Sequence, residues 1–209
     1  MQWIVAHGPR HADAVALTID DGPGNVTPAV LDVLARHQAR ATFFLLGSRV
    51  RRGGALVRRA AAEGHELGVH AWHHRDLSGR PVRACAGLAL SRAVVRAAGG
   101  PPAPRVFRPP YGATSRPLVV AARALGLVTV VWDVDPRDYE EPGAEAIRAR
   151  VGAEIRPGSI VLLHDDRPGL AATAVALDGI LDDLAARGLD TTTVGALLGL
   201  TPRQGAPRG

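Results

Sequence analysis

The 209-residue chain has no lysine, a single cysteine, few aromatic residues and no apolar run long enough to cross a bilayer. A membrane span needs about 20 consecutive apolar residues, and no segment approaches that. Cys85 has no partner, which excludes an intramolecular disulfide, and within a helical stretch it reads as a small core residue rather than a nucleophile. Aromatic residues make up 4% of the chain against 46% hydrophobic residues, so the core must be built from Ala, Val and Leu. The N-terminal Met1-Gln2-Trp3-Ile4-Val5-Ala6-His7-Gly8 has neither a basic region nor a long apolar one, so no secretion signal is expected in this chain. Gly-rich phosphate loops are absent, which counts against a nucleotide-binding fold. The net charge of +5 would suggest an anionic partner, yet all 25 basic residues are Arg. Such uniformity, beside abundant Ala and Gly, reads as coding base composition. No basic run is interleaved with aromatics, so no nucleic-acid partner is expected. Arg51-Arg52 and Arg58-Arg59 read as the solvated face of a helix.

The feature that is present and most informative is the pair Asp20-Asp21. It ends the apolar run Val15-Ala16-Leu17-Thr18-Ile19 and is followed by Gly22-Pro23. The run reads as a buried strand that Gly-Pro stops, so both carboxylates sit at its C-terminal edge. Successive strand side chains face opposite ways, so one carboxylate can grip a cation while the other faces a substrate. Alone, Asp-Asp-Gly is usually an acidic turn.

Further strands are expected at 41–46, 66–70, 128–133, 159–164 and 191–194, with an extended segment at 106–108. Helices are expected at 27–38, 54–63, 82–98, 117–125, 144–154 and 170–187. The size suits one domain. Strand–helix units with continuous apolar strands imply an α/β fold with a parallel sheet covered by helices. About seven units favour a closed or nearly closed β/α barrel, in which chemistry sits at the C-terminal strand ends. Asp20, Asp21, His70, Asp133 and His164 all fall there.

His70 and His74 are four apart, and on a helical turn they would share a face. The pair alone is a weak signal. With an Asp from another strand end it becomes a two-His, one-carboxylate set with open positions, which suits zinc and nearly as well cobalt or nickel. His73 is expected to point away. His164 ends an apolar strand and is a candidate third ligand, proton donor or packed rim residue. Arg108, before Pro109-Pro110-Tyr111-Gly112, can offset the Asp pair. Trp132, in a carboxylate-rich loop with Tyr139, suits either sugar stacking or ordinary packing.

Thr18-Ile19-Asp20-Asp21-Gly22-Pro23, His70-x-x-x-His74, Arg108-Pro109-Pro110-Tyr111, Asp135-x-x-Asp138-Tyr139 and Leu162-x-His164 resemble, in order, the five motifs of the polysaccharide deacetylase (NodB-homology) family. The resemblance covers about residues 13–197. It implies a single-domain distorted (β/α) barrel, one divalent metal of the zinc type, and removal of acetyl groups from glycans such as chitin, peptidoglycan or xylan, most of all N-acetyl from GlcNAc-type glycans. Residues 1–12 would be an N-terminal extension and 198–209 a flexible tail. Asp21, His70 and His74 would bind the metal. Asp20 would be the general base and His164 the general acid. Arg108 would orient Asp20, and the Tyr111 N–H would hold the oxyanion. Asp138 would support from behind, and Leu162 would line the acetyl pocket. Ile19 stands where Phe is common and Tyr139 where Trp is frequent, which alters the groove wall. The resemblance implies a secreted or envelope-bound monomer acting on an acetylated glycan, while the chain's lack of a signal segment is compatible with the cytoplasm. Competing readings are an amidase or imidase of another small amide, and an idle glycan-binding protein. The second predicts a broken base, metal or acid position, and none is broken.

Overall fold

Strands and helices alternate along the computed structural model, which describes residues 4–79 and 81–200. In chain order they are β1 (Ile4–Val5), β2 (Ala14–Asp20), α1 (Thr27–Arg36), β3 (Thr42–Leu45), α2 (Gly47–Ala62), β4 (Glu66–Val69), α3 (Pro81–Gly99), β5 (Val106–Phe107), α4 (Arg116–Ala124), β6 (Val128–Val130), α5 (Ala144–Glu154), β7 (Ile160–His164), α6 (Ala171–Ala186), β8 (Asp190–Thr192) and α7 (Val194–Leu197). All strand pairings are parallel, in the order β1-β6-β5-β4-β3-β2-β7, with β8 added beside the first half of β2. His7, just after β1, bridges Ser159, and Val134, beyond the end of β6, bridges Val161 of β7, so the two ends of the sheet meet through isolated bridges rather than a full ladder. The result is the expected distorted β/α barrel, with its weakest seam where β7 meets the segments that follow β1 and β6.

The period-2 alternation of the strands sorts side chains between two layers. Val15, Leu17 and Ile19 of β2, Phe43 and Leu45 of β3, and Val161 and Leu163 of β7 face the helices in the main core. The alternate residues Ala16, Phe44, Val106, Val130 and Ile160 form a separate apolar plug inside the barrel. Gly68 is required beside that plug, because a Cβ there would stand 2.7 Å from the Phe44 ring. Continuing the same inward positions towards the strand ends gives Thr18 and Asp20, His70, Arg108, and Leu162 and His164. The alternation that fills the barrel therefore also delivers the chemistry to its rim.

Several elements differ from their sequence-based bounds for local reasons. Helix α2 starts at Gly47 rather than at 54, and its non-helical residue Gly53 makes a kink that divides it. The strand expected at 191–194 stops at Thr192, because Thr193 caps α7 by accepting the Ala196 N–H at 3.2 Å. The segment expected as an N-terminal extension carries β1, and the Arg10 guanidinium bonds Asp133 at 2.7 Å. The expected tail falls, over 201–209, outside the described residues. No helix among the described residues is long and apolar enough to cross a membrane.

Candidate active site

The turn after β2 aims the two aspartates differently. Asp20 ends the strand and is 2% exposed, whereas Asp21 leaves it with a φ of 72°. That left-handed conformation is uncommon outside glycine but tolerated by Asp. Asp20 faces Arg108, which is wholly buried and donates from Nη1 to Asp20 Oδ1 at 2.8 Å and to Thr18 Oγ1 at 2.6 Å. Its Nη2 donates to the Val131 carbonyl at 3.0 Å, and its guanidinium lies 4.3 Å above the Phe44 ring. A buried ion pair holds its geometry only when its other hydrogen-bonding atoms are also engaged, and these partners supply most of that. Burial raises the Asp20 pKa, against the opposing pull of Arg108 and His164. A base gains proton affinity in this way.

Asp21, His70 and His74 converge on one point. One ligand atom from each lies within 4.8 Å of the others, and Asp21 Oδ1 is 3.4 Å from His70 Nε2 and 3.6 Å from His74 Nε2. Asp21 Oδ1 is buried and has no hydrogen-bond partner in the protein, an orphan that a cation would satisfy. His70 Nδ1 lies 2.8 Å from the Arg108 carbonyl, which can only accept. The proton is therefore on Nδ1, and Nε2 offers its lone pair to the cluster. Burial pushes the His70 pKa down to about 3, keeping the imidazole neutral as a ligand must be. The histidines do not meet on a helical turn, as their spacing suggested. Residues 72–74 form a bend after Ala71, whose φ is 82°. The side chains converge because the backbone reverses, and His73 is left exposed beside Trp72.

Across the rim, Asp20 and His164 are register partners on β2 and β7. Asp138 is 1% exposed and grips His164 twice, through the backbone N–H to Oδ2 and through Nδ1 to Oδ1, each at 2.8 Å. Thr173 donates to the same carboxylate at 2.9 Å. With Nδ1 engaged, Nε2 is the atom left to exchange a proton. Burial disfavours the imidazolium, but the Asp138 hydrogen bond and charge, backed by Asp20 and Asp21, outweigh it and push the pKa up to about 9.

Leu162 is buried one inward position below His164. Trp132 lies against Gly112 and 5.5 Å from the Arg108 guanidinium, a packing position. The exposed rings are instead Tyr111, at 68%, and Tyr139, at 40%. Tyr111 has a φ of 60° and stands edge-on to His74 at 4.3 Å, while Tyr139 stands edge-on to His164 at 5.5 Å. One ring thus stands by the ligand cluster and the other by His164. Asp133 turns away from it, accepting from Arg10, Ser159 and the Ile160 N–H. In the sequence Thr18 reads only as part of the strand and the first motif, with no role of its own, and Thr173 is not singled out. Only the inward phase of β2 could have indicated Thr18, and nothing local marks Thr173.

A family profile described as polysaccharide deacetylase matches residues 7–130. A chitooligosaccharide deacetylase of Bradyrhizobium sp. (strain ANU 289) is 43% identical over 157 residues, covering 74% of this chain and 72% of its own. Among solved structures, a peptidoglycan N-acetylglucosamine deacetylase superposes with a TM-score of 0.90 at 31% identity, covering 94% of this chain and 93% of its own. A family 4 acetyl xylan esterase from Clostridium thermocellum, in complex with a cobalt ion, superposes with a TM-score of 0.83 at 36% identity, covering 90% of this chain and 91% of its own.

Proposed function

The chain belongs to the polysaccharide deacetylase family of hydrolases, and on that premise we propose that it removes N-acetyl groups from GlcNAc-type glycans, chitin oligosaccharides or peptidoglycan. The observation that carries this reading is the placement on one rim of a ligand trio, an Arg-held carboxylate and a carboxylate-held imidazole. Asp21, His70 and His74 would hold one divalent cation, zinc being the choice that suits an Asp and two imidazoles, with cobalt or nickel close behind. When bound, such a cation supplies Lewis-acid chemistry, polarising the acetyl carbonyl and acidifying water.

The protein's own groups do the rest. Asp20 accepts the proton that water loses as it adds to the acetyl carbon, and Arg108 fixes the carboxylate for that transfer. As charge develops on the former carbonyl oxygen, the Tyr111 N–H donates to it. An amide nitrogen leaves only when protonated. His164 delivers that proton from Nε2 while Asp138 holds Nδ1, and the C–N bond breaks to give acetate and the free amine. Leu162 lines the space for the acetyl methyl group. Tyr111 and Tyr139 offer flat apolar faces to the sugar rings on either side.

The decisive experiment is acetate release by the metal-loaded protein from chitin oligomers, peptidoglycan fragments and acetylated xylan, assayed side by side. Release from the two GlcNAc-type substrates in preference to xylan supports the reading. Release from xylan alone makes the protein an ester hydrolase, and release from none of them overturns it.

A further inference from the structure

The metal-side loop after β2 and the loop that follows the acid at the end of β7 are clasped together by residues that belong to neither group of reacting atoms. Asp165 is fully buried, and its Oδ2 accepts from Thr27 Oγ1 at 2.5 Å while its carbonyl accepts the Val26 N–H at 3.0 Å. The two loops approach so closely at Gly24 that a Cβ there would stand 2.4 Å from the Asp166 Cα. Across this contact runs one side chain from a third element. Arg49, in the first turn of α2, donates from Nη1 to the Asp21 carbonyl at 3.0 Å and from Nη2 to Asp166 Oδ2 at 3.1 Å. The next peptide is held as well, since the Leu46 N–H donates to the Gly22 carbonyl at 3.0 Å.

Asp21 needs such help. Its φ of 72° is a conformation that an L residue leaves readily, and the peptide following it sets where its side chain points. Its Oδ1 must stay aimed between two imidazole nitrogens. We propose that Arg49, anchored on Asp166, is a positioning residue that locks the left-handed Asp21 peptide and so preorganises the carboxylate for the cation. This rests on the assignment of Asp21 as a metal ligand. Arg49 touches no ligand atom and no substrate, so it acts only through the Asp21 backbone. Asp166, one step further out, acts only through Arg49. The clasp also ties cation binding to the loop that leaves β7 at His164, because Asp166 is two residues beyond it.

The test is a zinc titration of the chelator-stripped full chain against a competing chromophoric chelator, in the wild type, R49M, R49K, D166N and the R49M/D166N double variant. Outer partners of ligating residues typically contribute about ten- to a hundredfold in metal affinity. R49M is expected to raise the zinc Kd by about tenfold and D166N by less. R49K, which keeps one donor for the Asp21 carbonyl, recovers part of the loss. The double variant binds zinc as R49M does, because the Asp166 carboxylate, unlike its backbone, meets the metal-side loop through Arg49. Thermal unfolding of the metal-free variants separates this from general loosening, since positioning changes the zinc Kd even at an unchanged metal-free Tm. A wild-type zinc Kd in R49M overturns the proposal, as does a D166N effect that persists in full in the R49M background. The deacetylase reading depends on acetate release by the wild type, so either result leaves it standing.

Discussion

His74 has 30% of its side chain accessible, against 2% for His70, so it can be removed with little disturbance of the barrel. Replacing it with Ala takes one of three ligands away. The expected result is a fall in zinc affinity of more than about a hundredfold, beyond the effect of outer partners, together with loss of acetate release. His73→Ala, one position away and exposed, should leave both unchanged. The contrast is read from metal content and turnover of the two variants, and a His74→Ala protein that keeps its metal assigns the wrong residue. His164 calls for a different measurement, because a strand-end imidazole could ligate, donate a proton or merely pack. An N-acetyl nitrogen needs a proton to leave, whereas an aryl acetate departs as a stabilised phenolate. His164→Ala should therefore lower kcat/KM for an N-acetyl oligosaccharide by about a hundred- to ten-thousandfold and spare aryl acetates far more. An unchanged ratio between the two substrates removes His164 from the acid role.

At the scale of elements, the seam between β7 and the segment that follows β6 is where local structure and chemistry part company. Asp133 follows β6 and has the look of a strand-end carboxylate, yet it caps the start of β7. It takes the Ile160 N–H at 2.8 Å and Ser159 Oγ at 3.1 Å, and it ties in Arg10 at 2.7 Å. These bonds replace a ladder that the barrel does not complete at this point. Asp133→Ala leaves the Ile160 N–H without a partner, and a loss of about 1–3 kcal/mol of stability is expected by urea unfolding. Zinc affinity should not change. If it does, Asp133 belongs to the site after all. The same scale explains α2, whose first turn lies before the Gly53 kink and carries Arg49 to the Asp21 carbonyl.

For the whole molecule, shifted histidines shape the pH dependence of stability in the metal-free protein, His65 and His70 in one direction and His164 in the other. Burial beside Phe43 lowers the His65 pKa to about 4, and its Nδ1 already accepts the Ala41 N–H at 3.2 Å. Between pH 6.5 and about 4 the unfolded chain takes this proton and the folded one does not. Its contribution is complete above 6.5 and is lost as pH falls towards 4. His164 behaves in reverse. Raised to about 9, it binds its proton more tightly when folded. Its contribution is complete below 6.5 and disappears as pH rises through 9. Each is worth up to about 3 kcal/mol across its window. Urea unfolding from pH 4 to 10 should show the acid limb flattened in His65→Gln and the alkaline limb flattened in His164→Gln. Limbs that keep their slopes in these variants would move the titrations to other groups.

What the sequence determined by itself was whatever neighbouring residues decide. The apolar run ending in Asp20-Asp21-Gly22-Pro23 specifies a strand and its stop, and the repetition of such units specifies a parallel barrel with chemistry at one rim. Helix α5 appears at the expected bounds, Ala144–Glu154, because Pro142-Gly143 before it and Pro157 after it punctuate the chain locally. Tertiary structure alone decided what meets across the barrel. Arg108 reaches Asp20 over a separation of 88 residues, and Thr173 reaches Asp138 over 35. Neither bond has a local signature, since register between parallel strands is set by how whole layers pack. His70 and His74 show the division within five residues. Their spacing implied convergence, but the helical turn invoked to explain it is absent. The left-handed Ala71 brings them together, held where the β4 rim packs against its neighbours.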